Sequence, residues 1–150
     1  MIILEQFKKI KSEFNGVKRL LFFYLLSEYP NILKSIILKL HQKEIYIKEY
    51  QATNIETEIF EEKRFYDLSY MKTMLLNLLS RDLINIKDTK QGTIIKISEN
   101  GNQLLENIDE IEFSDLINRS YYIKKYLGNL SNNKIIDLFN EFMPRSIYAE

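Results

Sequence analysis

Residues 80–105, SRDLINIKDTKQGTIIKISENGNQLL, constrain the fold most, because two strand patterns lie between two helix patterns. LINIKD and TIIKI are short and rich in isoleucine, which is typical of β-strands. The loop at 89–92 joins them, and Gly92 supplies the positive φ that a hairpin loop of this length favours. Ser98 is placed to cap the following helix through its hydroxyl. The stretch therefore predicts a β-hairpin that leads into a helix.

Two further helices are predicted upstream, in residues 17–41. VKRLLFFYLLSEYP carries large apolar residues on every side, so we expect a central buried helix that Pro30 ends. The pattern after it predicts a helix with a single apolar face, formed by Ile32, Leu33, Ile36, Ile37 and Leu40.

The helix directly before the hairpin is also amphipathic. Asp67 or Ser69 is predicted to be its N-cap. Its predicted apolar face consists of Leu68, Met71, Leu75, Leu78 and Leu79. Between these helices, residues 44–66 lack a sustained period and are interpreted as an acidic surface loop or frayed helix, with EIYI as a candidate short strand.

Both ends of the sequence predict helices. The first, at about 2–14, has the apolar stripe Ile3, Phe7, Ile10 and Phe14 and is expected to end at the Asn-Gly pair 15–16.

The late helices fall at about 113–143 and end before Pro144. Ser131 is predicted to cap the last of them. Their apolar stripes are Phe113, Leu116, Ile117, Tyr121 and Tyr126, followed by Ile135, Leu138, Phe139 and Phe142.

These elements together predict a mainly α (α+β) fold. Helices, a hairpin and a returning helix are the parts of a winged helix-turn-helix, with the wing at about 83–97. With 150 residues, the chain is expected to form one domain, to which the N- and C-terminal helices add interaction elements. The start of the chain resembles neither a signal peptide nor a membrane anchor, so we expect a cytoplasmic protein.

Charge argues against a dedicated DNA-binding role. The 21 basic residues equal the 21 acidic ones, whereas DNA-binding proteins usually carry a basic surplus for contacting phosphates. Residues 80–105 hold Arg81, Lys87, Lys90 and Lys96 against three acids, Asp82, Asp88 and Glu99. A solvated or protein-facing surface is therefore favoured. If duplex DNA is bound, the candidate contacts are Lys72, Thr73, Asn77, Arg81, Lys87, Lys90 and Lys96.

Aromatic and apolar residues of the terminal helices predict a protein interface. Tyrosine and phenylalanine number 10 and 9, more than a small core easily covers, and tyrosine suits interfaces because its tip is polar. The candidate partner-binding residues are Ile3, Phe7, Ile10, Tyr121, Tyr122, Tyr126, Phe139 and Phe142.

No pattern of residues indicates catalysis, a metal site or a cofactor. The chain has no cysteine and a single histidine, His41, so zinc would depend on carboxylates. A glycine-rich phosphate loop is missing as well. We therefore expect a protein that is not an enzyme.

The layout resembles the winged-helix middle component of bacterial ABC-three-component systems, including the small subunit of Lamassu-type antiphage defence. The resemblance rests on LLFFYLLSEYPNILKSIILKL, on Arg-Phe-Tyr-Asp at 64–67, on the leucine-rich helix with its hairpin, and on LINRSYYIKKYLGNLSNNKIIDLF. It implies a non-catalytic subunit that bridges an SMC-like coiled-coil ATPase and an effector nuclease, with weak DNA contact of its own.

Two alternatives remain open at this point. One is a stand-alone winged-helix transcriptional regulator that dimerises through its terminal helices. The other is a small toxin–antitoxin partner. A regulator is expected to bind duplex DNA alone and with salt dependence, whereas a bridging subunit is expected to co-purify with its ATPase.

Overall fold

The structure, a computed structural model, describes residues 1–8, 14–52, 68–90 and 92–142. Its described elements are α1 (Ile2–Lys8), β1 (Phe14–Asn15), α2 (Val17–Glu28), α3 (Pro30–His41), α4 (Glu49–Ala52), α5 (Leu68–Ser80), β2 (Ile84–Thr89), β3 (Gly92–Ile97), α6 (Glu99–Glu106), α7 (Ser114–Tyr122), a π-helix (Ile123–Leu127) and α8 (Asn132–Phe142). The described chain is thus mainly helical with a small antiparallel sheet, which confirms the α+β class. None of the described helices is long and apolar enough to cross a membrane.

Helix α2 is the centre of the core, as the sequence predicts. Large apolar side chains from Leu20 to Leu26 are buried, with Tyr24 only partly covered. The helix packs against α3, α5, α7, α8 and the π-helix, so most of its apolar surface meets another element. Pro30 does not simply end this helix. It is the first residue of α3, where its missing N–H costs no hydrogen bond.

The apolar face of α3 is confirmed, with Leu33, Ile36 and Ile37 buried. Helix α5 matches its prediction only in part. Met71 and Leu75 are buried, but Leu79 is 40% exposed, so the prediction of Leu79 as a face residue is wrong. Ser69 lies inside the first turn of α5 and not at the N-cap, and Asp67 lies outside the described residues.

The N-terminal segment corrects the prediction of one helix over 2–14. Helix α1 covers only Ile2–Lys8, and Phe14–Asn15 forms strand β1. Because β1 pairs with β3 (Phe14 opposite Ile95), the sheet has three strands in the order β1-β3-β2. Gly16 has a φ of 100° and precedes α2, so the Asn-Gly pair connects a strand to a helix. The segment is a strand because its backbone pairs with the open edge of β3. The spacing of apolar residues does not reveal such pairing.

The hairpin is confirmed, with a tighter loop than the sequence suggests. Thr89 pairs with Gly92, so the loop consists of positions 90 and 91. Gly92 has a φ of 124°, a conformation that favours glycine. Ile84 lies opposite Ile97 and Ile86 opposite Ile95, which places isoleucines of both strands on one face.

Helix α6 is fastened to the base of the hairpin. The Ser98 Oγ accepts a hydrogen bond from the Gly101 N–H at 3.0 Å, so the predicted N-cap is confirmed. The same hydroxyl donates to the Asp82 carbonyl. A β-carbon on Gly101 would clash with the carbonyl oxygen of Leu83 and lie 2.8 Å from Ile97 Cγ2. Only glycine therefore allows this approach of helix to turn.

The apolar stripe predicted for the late helix is rotated in the structure. Phe113 and Tyr121 are exposed, while Ser120, Ile123 and Leu127 are buried. A π-helix also interrupts the expected α-helix at Ile123–Leu127. Packing against α1, α2 and α3 selected the buried side. The tyrosine rings of this segment tolerate water because each carries a hydroxyl.

Helix α8 behaves as predicted where its side chains are described. Ser131 Oγ accepts a hydrogen bond from Lys134 N at 3.2 Å, and Ile135 and Leu138 are buried. The side chains of Phe139 and Phe142, and Pro144, lie outside the described residues.

The segment EIYI is not a strand. Residues 43–48 have no regular structure, although Ile45 is buried in the core. A buried isoleucine fixes the path of this connection without any strand partner.

Candidate functional site

All seven side chains predicted to contact DNA are on the α5–hairpin unit, which comprises α5, β2 and β3 with their connecting turns. Each of them is exposed. They are Lys72, Thr73, Asn77, Arg81, Lys87, Lys90 and Lys96. Thr73 donates its hydroxyl hydrogen bond to the Ser69 carbonyl at 2.9 Å. DNA contact by this set stays a prediction.

The hairpin register puts two of its lysines on one face. Lys96 lies opposite Asn85, and Lys87 lies opposite Ile94. The two lysines are therefore diagonal neighbours, a spacing of about 7–8 Å in antiparallel sheets. Asp88 alternates onto the other face, where its carboxylate accepts a hydrogen bond from Thr93 Oγ1 at 2.8 Å. One face of the hairpin is thus basic and the opposite face carries an acid.

Helix α5 presents apolar as well as polar side chains to solvent. Leu76 is 61% exposed and follows Thr73 by one helical turn, and Leu79 and Tyr70 are exposed near it on the same helix. Leu76 and Leu79 are three residues apart and therefore adjacent on the helix, and contiguous exposed apolar surface is what marks sites that a partner can cover. A helix that only contacts phosphates and base edges needs polar groups at such positions.

The predicted partner-binding residues separate into three groups. Ile3 is buried in the core, and the Phe7 ring stacks on Phe23 with centroids 5.3 Å apart, so both pack inside this chain. Tyr121 is exposed, and Tyr122 and Tyr126 are partly exposed. Ile10 lies outside the described residues, as do the side chains of Phe139 and Phe142. Partner binding by this set stays a prediction.

A cluster of aromatic and basic side chains surrounds the π-helix. Lys125 Nζ lies 5.4 Å from the Tyr121 ring centroid and 5.3 Å from that of Tyr126. The rings of Tyr122 and Tyr126 are 6.3 Å apart, and His41 at the end of α3 is 5.1 Å from Tyr126. Hydrogen bonding to the Tyr121 hydroxyl raises the pKa of Lys125 and favours its charged form.

Arg19 supports the turn that follows the π-helix. Its guanidinium donates hydrogen bonds to the carbonyls of Gly128 and Leu130, the latter at 2.7 Å, and lies 5.1 Å from the Phe23 ring centroid. Burial lowers the pKa of Arg19. A planar fork with several donors suits this double contact better than a lysine. Arg19 is thus a structural residue that links α2 to the late helices.

A second polar cluster ties residues 48–50 to α7. Asp115 accepts a hydrogen bond from the Tyr50 hydroxyl and forms an ion pair with Lys48 at 2.9 Å. The Tyr50 bond, followed by the one from Lys48, lowers the pKa of Asp115. In the next turn, Arg119 Nε and Ser120 Oγ are buried and have no hydrogen-bond partner among the described residues. Within that same part of the chain, no group of three or more histidine or acidic side chains is arranged to hold a metal ion.

The sequence did not single out His41 or Lys125 as members of one surface. They become neighbours because α3 packs against the π-helix. His41 and Tyr126, which are in contact there, are 85 positions apart in the sequence. A usable signal was present, however, because residues 116–136 contain no acidic side chain.

The fold and these surfaces define a mainly helical α+β protein with a β-hairpin between helices. The chain belongs to the ABC-three component (ABC-3C) system Middle Component 4 family, whose model matches residues 4–136. This confirms the ABC-three-component resemblance, and a middle component implies further components as partners. No curated protein matches the chain. No solved structure matches it either.

Proposed function

We propose that this chain is a non-catalytic accessory subunit that bridges an SMC-like coiled-coil ATPase and an effector nuclease in a Lamassu-type antiphage complex of the cytoplasm. Membership of the middle-component family supports an accessory role. In this proposal the ATP site and the nuclease site belong to the partners, and this chain supplies docking surfaces.

The proposal includes a winged helix-turn-helix built from α2, α3, α5 and the hairpin. The sheet order supports it, since β1 precedes these helices and joins the sheet beside β3, the returning strand of the hairpin. Helix α5 packs against α2 and β2, which is where a recognition helix is held. The connection between α3 and α5 departs from the usual motif. It comprises the 26 residues 42–67, whereas a helix-turn-helix usually has a short turn.

One observation carries the docking role, namely the exposure of Leu76 on α5. Helix α5 is the element that a DNA-reading winged helix inserts into the major groove. Its outward face combines this leucine with Tyr70 and Leu79 among five exposed polar residues, Ser69, Lys72, Thr73, Asn77 and Ser80. Burying about 100 Å² of such apolar surface against a partner contributes roughly 2–3 kcal/mol to association.

Co-expression of the three components tests the proposal. Leu76→Asp is expected to reduce capture of the partner components at least about tenfold, because a buried unpaired carboxylate opposes association. Leu104→Asp on α6 is the matched control, since Leu104 is also exposed but lies on another element. Both variants are expected to melt within a few degrees of the parent. Retention of partners by Leu76→Asp, or equal loss in the control, would contradict the assignment of α5 as the docking helix.

A stand-alone winged-helix regulator is the second candidate, favoured by the exposure of Lys72, Arg81, Lys87, Lys90 and Lys96. It requires salt-dependent binding of duplex DNA by the isolated chain. Lys72→Ala combined with Arg81→Ala is expected to abolish such binding if this candidate is correct. Unchanged weak binding, together with partner capture, favours the bridging subunit.

A further inference from the structure

Two stretches outside the α5–hairpin unit carry basic residues without any acidic one. Residues 29–43, which include α3, contain no acidic side chain, and neither do residues 116–136, which include most of α7 and the whole π-helix. These two stretches contain Lys34, Lys39, Lys43, Arg119, Lys124, Lys125 and Lys134. Because α3 packs against both the π-helix and α8, the two acid-free stretches are neighbours in the fold. A chain with no net charge therefore has one strongly segregated region.

Not every cation of this region faces solvent without a partner. Lys39 pairs with Glu141, and Arg119 is partly buried near Asp115 and Glu28. Of the five cations that remain, Lys124 and Lys125 belong to the π-helix, and Lys43 follows closely after His41, whose ring contacts Tyr126. Lys125 and His41 lie next to the tyrosine rings described above.

The tyrosine rings favour a single-stranded nucleic acid over a duplex or an acidic peptide as the ligand of this region. Tyr121 is 42% exposed, and Lys125 lies near its ring as well as that of Tyr126. Lysines beside exposed aromatic rings form the combination that single-stranded nucleic acids use, with phosphates meeting cations and unpaired bases stacking on rings. A duplex hides its base faces, and an acidic peptide has no need of the rings.

We propose that the surface formed by His41, Lys43, Tyr121, Lys124, Lys125 and Tyr126, the tyrosine–lysine surface, binds single-stranded nucleic acid. In this arrangement a base stacks on the partly exposed ring of Tyr121, while the three lysines contact the phosphates on either side. The proposal goes beyond the bridging role, which is tested at Leu76 on α5, and does not depend on it. It assigns a nucleic-acid ligand to Tyr121 and Tyr126, for which the sequence predicts a protein partner.

Fluorescence anisotropy of the full chain with a labelled oligothymidylate of about 16 nucleotides, the upper end of typical site sizes, tests it. The combined variant Lys43→Gln, Lys124→Gln and Lys125→Gln is expected to weaken binding at least about tenfold at low salt. It also lowers the slope of log affinity against log salt by about 2, since each single-strand phosphate contact contributes roughly 0.7.

Two further variants separate stacking from charge. Tyr121→Leu is expected to weaken single-strand binding about fivefold or more, the low end of measured stacking contributions, while Tyr121→Phe binds like the parent. The matched charge control is Lys72→Gln with Lys87→Gln and Lys90→Gln on the α5–hairpin unit, expected to change the affinity less than about twofold because these lysines lie elsewhere.

Several results overturn the proposal. The first is the absence of saturable binding to the single strand, and the second is an equal loss of affinity in both triple variants. The third is an affinity for a duplex of the same length equal to that for the single strand, together with unchanged binding by Tyr121→Leu. Equally tight binding of polyglutamate assigns the surface to an acidic polypeptide instead. If circular dichroism shows that the variant with Lys43→Gln, Lys124→Gln and Lys125→Gln unfolds at a lower temperature than the parent, the proposal is judged by comparing the single-strand affinities of Tyr121→Leu and Tyr121→Phe. Partner capture by Leu76→Asp is measured separately, so failure of one proposal leaves the other intact.

Discussion

The α5–hairpin unit and the tyrosine–lysine surface differ in how their charge is arranged. In the first, two acids, Asp82 and Asp88, lie among the cations Lys72, Arg81, Lys87, Lys90 and Lys96. In the second, cations come from two segments that contain no acid at all, and tyrosine rings lie among them. In our proposals, the first is part of a winged helix, a shape usually linked to DNA recognition, and the second carries the chemistry that binds a nucleic acid. Shape and ligand chemistry therefore need not occur at the same place in one chain.

The two regions are also held together differently. Close backbone approach fastens the hairpin, through Gly101 beside the Leu83 carbonyl and Ser98 as N-cap. Side-chain bonds across long sequence separations fasten the other, through Arg19 and through Asp115 with its two partners. Substitutions in each region are therefore expected to loosen one region more than the other.

Gly101→Ala is expected to have the largest effect. A methyl group clashes with backbone that cannot rotate away, and we expect a loss of about 3 kcal/mol, or roughly 10 °C in melting temperature. Thermal unfolding by circular dichroism measures it, with Gln103→Ala on the exposed side of α6 as control. A melting temperature equal to that of the control would show that helix and hairpin separate easily.

Arg19→Ala is expected to cost about 2 kcal/mol, because two partly buried carbonyls lose their donors. Urea unfolding measures the loss, and the exposed neighbour Lys18→Ala is the control. Hydrogen exchange then sharpens the comparison of regions. Amides of 124–130 are expected to exchange faster, while those of β2 and β3 change little. Uniform acceleration throughout would mean that Arg19 supports the whole core.

Ser98→Ala removes the N-cap of α6 and is expected to cost about 1 kcal/mol. Ser98→Thr retains a capping hydroxyl and is expected to lose only part of that stability. Affinity of both variants for oligothymidylate is expected to equal that of the parent, since the cap joins α6 to the base of the hairpin and is not part of the tyrosine–lysine surface. Weakened oligonucleotide binding in Ser98→Ala would connect the two regions.

Asp115→Asn is expected to have the smallest effect, visible mainly as pH dependence. The pKa of Asp115 is lowered in the folded chain, so its contribution is present above the unfolded pKa and is lost as pH falls through the folded value. Unfolding midpoints measured from neutral pH to below about pH 4, the ordinary range of an aspartate, are expected to fall less steeply in the variant. Parallel acid profiles would show that the Tyr50 and Lys48 contacts are without consequence.

Much of the fold is predictable because local signals agree. Three independent signals favour the hairpin and the helix after it: Gly92, Ser98 and the isoleucine-rich strands. Helix α2 carries apolar residues on all sides, and it is therefore stable only when buried. Prediction was wrong where neighbours distant in sequence decide. Phe14 fits the stripe of α1 but pairs with Ile95, and Tyr121 fits an apolar stripe but is exposed.

The sequence by itself determined the α+β class, the hairpin with its capped helix, the central helix and the family. Spacing, turn residues and burial patterns act over a few residues, and they are written directly in the chain. Only the tertiary structure decided that β1 joins the sheet, that α5 exposes Leu76, and that His41 meets Tyr126. Those outcomes depend on which elements, distant in sequence, pack against each other. The spacing of apolar residues shows only how much apolar surface each helix must bury.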